Sequence, residues 1–243
     1  SGEITNSKKE VTPDDNRIVG IRVGTFVGDG KKNSGNQYGR YSSFAYDVMK
    51  NAPAYYVKYA EVCFLRAEGA IRGWNMGGTA EQFYNEGIRH AYVEDPSLIS
   101  SSPYSTLVAN YIQKDKPTAY VQKDPMGGED WPSLTKIGVK WNESDDREVK
   151  LEKIITQKYI ALFPLSTEAW TELRRTGYPK LFNVLNADDG DGSLQYGDII
   201  RRIPWNATDP ITKGNIEATG LNALGGEDLQ STRLWWDVNT PNF

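Results

Sequence analysis

The sequence predicts a mostly α-helical fold with long irregular loops and few short strands. Apolar residues recur at the spacing of an α-helix in several segments. Stretches rich in Gly, Pro and Asn separate those segments, and such stretches favour loops. The chain has 243 residues, so it can bury a sizeable hydrophobic core without disulfides. We expect a single domain over residues 1–243, with a loop-rich N-terminal segment at 1–52 and a helical core at 53–243.

The N-terminal segment carries little regular pattern. Gly, Asn, Ser, Asp and Lys are abundant in residues 1–52. Only Arg17–Val27 alternates apolar and polar residues in the way that a β-strand does. Gly28–Arg40 has no periodicity and several Gly and Asn residues, so we predict a loop there.

The strongest structural signal is a pair of helices at residues 53–72 and 79–94. Pro53 suits the first position of a helix, because its missing N–H leaves no donor unpaired. Thr79 and Gln82 form a capping box, in which the Thr79 hydroxyl bonds the third helical N–H and the Gln82 side chain returns the bond. The short link predicts an antiparallel hairpin that resembles one tetratricopeptide unit. No second copy follows at a period of about 34 residues.

A loop insertion is predicted at residues 95–145. The stretch holds several prolines and the pair Gly127-Gly128, which disfavour long helices. Its pattern allows short regular structure at Ser105–Gln113 and at Thr118–Gln122. A loop of this length inside a compact domain is usually a functional one.

Helices and turns alternate in the C-terminal third of the chain. Asp145–Leu162 has helical spacing, and Pro164 breaks it. We expect Ser166 or Thr167 to cap a further helix, which Gly177 closes. The remaining predictions are a short strand at Ile199–Ile203, a short helix at Asn215–Leu224 and a final helical turn at Ser231–Asp237.

Composition argues against several classes of function. Lys and Arg number 28 against 32 Asp and Glu, so the net charge is -4 and nucleic acid is not an expected partner. Cys63 and His90 are the only residues of their kinds, and together they make neither a zinc site nor a nucleophile–base pair. No window approaches the about 18 apolar residues of a membrane span. We therefore expect no metal, no cofactor and no catalytic residue.

Charged residues in the predicted helices indicate structural pairing rather than catalysis. Glu61 and Glu68 lie on one helix and share a face, so they cannot oppose each other across a cleft as glycosidase carboxylates do. The doublets Arg174-Arg175 and Arg201-Arg202 are expected to pair with carboxylates and to lie at helix ends. Asp188–Asp191 favours a solvated turn, with a calcium site as the alternative.

Four stretches together resemble the SusD/RagB family of nutrient-binding proteins. Their order and spacing are similar to the C-terminal half of that family, from about Arg17 to the end of the chain. The stretches are Ala60–Ala70 with Gly73-Trp74-Asn75, Gln157–Phe163 leading into Glu168-Ala169-Trp170, Arg174–Pro179, and Arg201–Pro204 followed by Leu234–Asp237.

The resemblance implies a surface-exposed lipoprotein of the outer membrane that binds oligosaccharide or polysaccharide without cleaving it. It also implies delivery of the glycan to a SusC-like, TonB-dependent outer-membrane channel. Cys63 lies inside a predicted helix, so we expect the lipid anchor and the N-terminal half of such a protein to be absent from this chain. The alternatives are a tetratricopeptide-like scaffold for protein–protein contacts, a peptide-binding member of the family, and a glycoside hydrolase.

Glycan binding requires aromatic faces that stack on sugar rings and polar groups that bond hydroxyls. Aromatic residues in polar loops are the candidates, because loops on a rigid scaffold often carry binding sites. We expect the tryptophans of the family-like stretches, Trp74, Trp170, Trp205, Trp235 and Trp236, to be packing residues. The predicted ligand-binding residues are Tyr38, Arg40, Tyr41, Trp131, Trp141 and Asn142.

Overall fold

The computed structural model describes about two thirds of the chain, and the described part is mostly helical, as predicted. Its contacts divide the chain into two compact units. The helical unit is Ala54–Ala119, Leu134–Leu181 and Asp237–Phe243, and the loop unit is Ser1–Pro53, Tyr120–Ser133 and Phe182–Trp236. The single-domain organisation remains a prediction. The described residues are 4–5, 10–11, 23, 50, 55–92, 104–122, 130–184, 191–205, 207–238 and 241–243.

Five helices build the described part of the helical unit. They are α1 (Tyr59–Ile71), α2 (Ala80–Tyr92), α3 (Tyr104–Ile112), α4 (Arg147–Ala161) and α5 (Ser166–Thr176). The first two pack against each other, α4 packs against both, and α3 and α5 pack against α2 and α4 respectively. The buried apolar side chains that join them include Phe64, Phe83, Tyr84, Ile88, Val108, Trp141, Leu151, Ile154, Ile155 and Tyr178.

The predicted hairpin is confirmed as α1 and α2. The two helices approach closely where Gly87 faces Phe64, because a β-carbon at Gly87 would lie only 2.8 Å from the Phe64 ring. The buried Tyr84 hydroxyl donates to the Val139 carbonyl at 2.7 Å, which ties the hairpin to the segment before α4. A small residue on one helix facing an aromatic ring on its neighbour sets the distance between the helices.

The link between the two helices satisfies the backbone groups at both ends. Gly73 takes a positive φ of 84°, and the Trp74 N–H donates to the Gly69 carbonyl at 2.9 Å, so α1 ends in a Schellman motif. The Gln82 N–H donates to the Thr79 hydroxyl at 3.2 Å, and the Thr79 N–H donates to the Gln82 side chain at 3.0 Å. The predicted capping box is therefore confirmed.

The prediction that the first helix starts at Pro53 is wrong in its extent. Pro53 lies outside the described residues, but residues 55–58 are not helical and α1 begins at Tyr59. The Lys58 ammonium donates to the Phe163 carbonyl at 2.6 Å, so a tertiary contact holds the segment in an extended path. Residues 55–57 are aromatic or β-branched and have only modest helix propensity. The tertiary contact of Lys58 therefore determines the backbone conformation of this segment.

The predicted helix at Asp145–Leu162 is confirmed as α4, and Gly177 closes α5 with a φ of 75°. The prediction that Ser166 or Thr167 caps α5 is wrong, because Leu165 is the N-cap residue and makes no side-chain cap bond. The chain turns tightly before this helix, and the Ser166 N–H donates to the Pro164 carbonyl at 2.8 Å. The turn places Ser166 one position too late to act as the cap.

The loop unit has short elements only in its described part. Strands β1 (Ile4–Thr5) and β2 (Glu10–Val11) pair antiparallel, as do β3 (Val121–Gln122) and β4 (Trp131–Pro132). A helical run then comprises α6 (Pro210–Asn215), a π-helical turn (Ile216–Gly220) and α7 (Leu221–Leu224).

The helix predicted at Asn215–Leu224 is confirmed, but it starts earlier, at α6. Asp209 is the N-cap residue, and its carboxylate accepts from the Thr212 N–H at 2.8 Å. Pro210 occupies the first helical position. An N-cap Asp followed by Pro is a helix start signal that is visible in the sequence. The prediction missed it because it relied on the spacing of apolar residues. Regular structure is also found at the two places allowed in the loop insertion, as α3 and as β3.

Two local predictions in the loop unit are wrong. Ile199–Ile203 is not a strand, and Ser231–Asp237 is not helical. The N–H groups of Arg201 and Arg202 both donate to the Gln230 carbonyl, at 2.9 and 3.4 Å, so this segment bonds a loop rather than a neighbouring strand. Asp228 anchors the same loop by accepting from the Arg202 guanidinium. The strand predicted at Arg17–Val27 lies outside the described residues apart from Val23.

Thr79→Ala should lower the free energy of unfolding by about 1 kcal/mol, because it removes the hydroxyl that accepts the Gln82 N–H. Urea denaturation measures the loss. Ser166→Ala is the matched control, since Ser166 begins a helix without capping it, and its effect should stay within about 0.5 kcal/mol. Equal losses in the two variants would contradict the capping role of Thr79.

Candidate functional site

A cluster of charged side chains joins α1, α4 and α5 inside the helical unit. The Arg175 guanidinium donates two hydrogen bonds to Glu68, of 2.8 and 2.7 Å, one to each carboxylate oxygen. Arg175 also pairs with Glu172 at 2.6 Å. We call this group the charge cluster; its members are Glu61, Glu68, Arg72, Lys158, Glu172 and Arg175.

Lys158 is the most deeply buried charge of the cluster, at 2% exposure. Its ammonium lies 2.9 Å from Glu172 and 3.6 Å from Glu61, so two carboxylates neutralise it. Arg72 completes the cluster as an i,i+4 partner of Glu68 at 2.9 Å. The predicted structural pairing of the helix carboxylates and of Arg175 is therefore confirmed. A buried charge that loses its partner is costly, so each member of the cluster constrains the others.

Glu68 is held ionised by the cluster. Burial alone would raise the pKa of its carboxyl group, but the hydrogen bonds and charges of Arg175 and Arg72 outweigh burial and hold that pKa below its usual range. A carboxylate in this state cannot act as a general acid near neutral pH.

Glu152 is the described carboxyl group with the opposite shift. Burial raises its pKa, Lys180 opposes that change, and Glu148 adds to it. Glu148 accepts from the Tyr178 hydroxyl at 3.1 Å and from the Asn242 amide at 2.6 Å. Glu148 and Glu152 are one turn apart on α4, so they do not face each other across a cleft. This pair does not have the geometry of a glycosidase site.

Cys63 and His90 have packing roles. Cys63 is buried in α1, and burial, with a contribution from Glu86, raises the pKa of its thiol, which opposes thiolate formation. His90 lies in the last turn of α2 and contacts the Tyr59 ring edge-on at 4.5 Å. A cavity of about 220 Å³ opens beside His90, lined in part by Tyr55 and Lys58. Within the described ranges, no three His, Cys, Asp or Glu side chains are placed to hold a metal, and no helix is long and apolar enough to cross a membrane.

Trp141 is a core residue in this structure. It is only 5% exposed, its ring lies 5.1 Å from that of Tyr84, and its indole N–H donates to Glu143 at 2.8 Å. Neither face of the Trp141 ring is open to solvent, so the structure argues against Trp141 as a ligand-binding residue. Asn142 is exposed, but its side-chain oxygen accepts from Ser144 at 2.8 Å and closes a local turn.

Several predicted positions lie outside the described residues. These are Tyr38, Arg40 and Tyr41, together with most of the Asp188–Asp191 run. Asp191 is described, and its carboxylate accepts from the N–H groups of Ser193 and Gln230, both at 2.9 Å.

Trp131 is the predicted aromatic binding residue that remains partly accessible in the described part of the chain. It lies in β4 and is half-buried. Its ring is 6.2 Å from that of Tyr196, and the two planes are tilted by 42°. Tyr196 is 55% exposed. We call Trp131 and Tyr196 the aromatic pair. Tyr196 was missed in the sequence, although polar Gln195 and Asp198 flank it in a loop, the same signal that singled out Tyr38 and Tyr41.

Backbone hydrogen bonds hold both members of the aromatic pair. Next to Trp131, the Ser133 N–H donates to the Tyr120 carbonyl at 2.7 Å, which fixes the β3–β4 ribbon. Gly197 takes a φ of 87°, and its N–H donates to the Val184 carbonyl at 3.2 Å. The Gln195 N–H donates to Asp198 at 2.8 Å, so the turn that carries Tyr196 is also braced.

The tryptophans of the family-like stretches divide into two groups. Trp170 and Trp236 are half-buried, and Trp170 packs under the Arg174 guanidinium at 3.5 Å. Trp205 lies 4.5 Å from the Arg202 guanidinium but is 40% exposed, so its predicted packing role is only partly met. The packing role predicted for Trp74 and Trp235 is wrong, because they are 64% and 88% exposed. Trp74 follows the positive-φ Gly73, which turns the chain off the end of α1 and leaves the ring at the surface.

Comparisons with known proteins agree on one family. A family model described as SusD-like, for the SusD and RagB outer membrane lipoproteins, matches residues 4–237. A solved chitin-binding SusD homologue from Flavobacterium johnsoniae is 44% identical with a TM-score of 0.66, over 76% of this chain and 36% of that chain. A SusD homologue from Bacteroides uniformis is 37% identical with a TM-score of 0.64, over 74% and 36%. No curated protein matches the chain.

A third solved structure covers almost the whole chain. This SusD homologue from Bacteroides thetaiotaomicron is 30% identical with a TM-score of 0.70, over 98% of this chain and 48% of that chain. The chain thus spans between about a third and a half of the length of the solved structures that it matches.

Glu68→Gln should lower the free energy of unfolding at pH 7 by about 3 kcal/mol, because it leaves Arg175 without its bidentate partner. The lowered pKa of Glu68 means that its stabilisation is present above about pH 4.3 and is lost as the pH falls through the folded-state pKa. The gap between wild type and variant should therefore shrink from pH 5 to pH 3 in urea denaturation.

Asp115→Asn is the control for this experiment, since Asp115 lies in an exposed part of the same unit. Its effect should stay within about 0.5 kcal/mol at pH 7. A gap between wild type and Glu68→Gln that does not change with pH would contradict the ionised state of Glu68.

Proposed function

The chain belongs to the SusD-like family of outer membrane lipoproteins, and we propose from this premise that it is part of a protein that binds glycans at the cell surface without cleaving them. The chitin-binding homologue supports a glycan ligand most directly, because it is 44% identical to this chain over 76% of this chain's residues. We further propose that the bound glycan passes to a SusC-like, TonB-dependent channel of the outer membrane.

The charges of the helical unit support binding without catalysis. The carboxylates of the charge cluster form ion pairs with Arg72, Lys158 and Arg175. A glycosidase needs one protonated and one ionised carboxyl group on opposite sides of the scissile bond. Glu68, whose pKa is lowered, and Glu152, whose pKa is raised, do not form such a pair, since Glu68 is bound by arginines and Glu152 shares a helix face with Glu148.

The ligand contacts of this chain are proposed at aromatic residues of loops. Trp131 is the described residue that supports this, because its ring is partly accessible in a short ribbon beside polar Asp130. Tyr38, Arg40 and Tyr41 also remain proposed contacts. Their support is composition, because two tyrosines flank an arginine in a polar stretch of the sequence. Asn142 remains a candidate hydrogen-bonding group, although its side-chain oxygen also closes a turn.

Protein–protein contact is the second candidate function, and the outer face of α1 favours it. Tyr59, Val62 and Leu65 follow one another at helical spacing and are exposed. A tetratricopeptide-like hairpin packs such a face against a further helix. A helix of the same protein or a helix of a partner protein fits this face. A peptide ligand is the further alternative.

The complete natural protein should bind at least one neutral oligosaccharide from a panel of chitin-, xylan-, starch- and laminarin-derived chains, and it should release no product from any of them. Calorimetry measures binding, and chromatography detects products after prolonged incubation. The physical reason is that Glu68 is paired with Arg175 and that Glu148 and Glu152 lie on one helix face, so neither arrangement supplies a facing acid–base pair.

Glu152→Gln provides the control for catalysis, because Glu152 is the described carboxyl group whose raised pKa would suit a general acid. Product release by the wild type that disappears in Glu152→Gln would show that the protein is a hydrolase. A protein that binds no glycan of the panel but retains a protein partner through Tyr59, Val62 and Leu65 would favour the scaffold function instead.

A further inference from the structure

We propose that Trp131 and Tyr196 form a two-ring platform that contacts two successive sugars of a neutral oligosaccharide. The inference rests on the proposed glycan-binding function and assigns a place and a ligand class to it. Tyr196 is the new residue, and it lies in a different segment of the loop unit from Trp131. Neither ring needs any residue outside the loop unit to form the pair.

The spacing of the rings indicates two sugars rather than one. Their centroids are 6.2 Å apart. A pyranose ring has six atoms, as the phenol ring of Tyr does, so one ring face accommodates about one sugar. The tilt of 42° means that the two faces do not share a plane. The platform therefore fits an oligosaccharide that turns between the two contacted sugars.

The exposure of the rings suits reversible stacking. Tyr196 is 55% exposed and Trp131 is half-buried, so one ring is anchored while the other is accessible. Aromatic side chains combine a flat apolar body with a polar tip, which matches the apolar face and hydroxyl rim of a sugar. The hydrogen bonds that brace Gly197 and Ser133 hold the two segments before a ligand arrives. A pre-formed platform loses little conformational entropy on binding.

The charges beside the rings select neutral glycans. Asp130 precedes Trp131, and Asp198 follows Tyr196 by two positions; both side chains are exposed. The Asp198 carboxylate accepts from the Gln195 N–H and keeps oxygen lone pairs for sugar hydroxyls. The exposed Asp198 carboxylate disfavours the carboxylates of uronic acids and the sulfates of sulfated glycans, because like charges repel. A neutral hexose or N-acetylated amino sugar meets no such repulsion.

Calorimetry on the complete protein tests the platform with the tightest-binding neutral oligosaccharide of the panel. Tyr196→Ala should weaken binding about 10-fold and Trp131→Ala about 30-fold, by analogy with the truncation of well-packed aromatic contacts. Tyr196→Phe keeps the ring and should stay within about 3-fold of the wild type. Oligogalacturonate of matched length should bind the wild type at least about 10-fold more weakly than the neutral chain.

Trp235→Ala is the matched control, because Trp235 is an 88% exposed ring in the loop unit that is not part of the aromatic pair. Its affinity should equal that of the wild type, and thermal melts should show that all variants fold. Wild-type binding that survives both Trp131→Ala and Tyr196→Ala would overturn the platform but leave glycan binding intact. A wild type that binds no glycan would instead overturn the proposed function, and equal affinity for oligogalacturonate would overturn the selection of neutral chains.

Discussion

The bidentate contact between Glu68 and Arg175 is the constraint on which the helical unit depends. The two residues are 107 positions apart, and their contact brings α1 and α5 together over α4. Arg175 binds Glu172 as well, and Glu172 binds the buried Lys158, so the ionised groups of three helices neutralise one another. Charges this deeply placed are tolerated only when they are paired, so the helices keep positions that let these groups meet.

The charge cluster also gives a physical reason for the stretches that carry the family resemblance. Glu68 lies in the first of them, Lys158 in the second, and Arg175 in the third. Their common role is to join the helices rather than to contact a ligand. The carboxylates that might suggest a hydrolase are thus committed to the fold. In our proposal, ligand contacts come from side chains outside the helical core, including the rings of Trp131 and Tyr196 in the loop unit.

Several correct predictions rest on local interactions, whereas some of the wrong ones concern segments that distant contacts hold. Thr79 and Gln82 cap α2 through neighbours three positions apart, so the hairpin could be predicted. Ile199–Ile203 has the composition of a strand, but its backbone bonds Gln230, a contact that local patterns do not encode. The same limit applies to the site. Trp141 and Trp131 look alike in sequence, yet burial against Tyr84 leaves Trp141 no exposed ring face. Tyr196 carried the same sequence signal as Tyr38 and Tyr41, but its position beside Trp131 is decided by folding.

The most direct test of binding without catalysis is a crystal structure of the complete protein with its tightest-binding neutral oligosaccharide. We predict an intact glycan whose successive sugars lie against the faces of Trp131 and Tyr196, with the Glu68–Arg175 contact unchanged. A cleaved glycan held between two carboxyl groups would contradict the account, as would an intact glycan that touches neither ring of the aromatic pair.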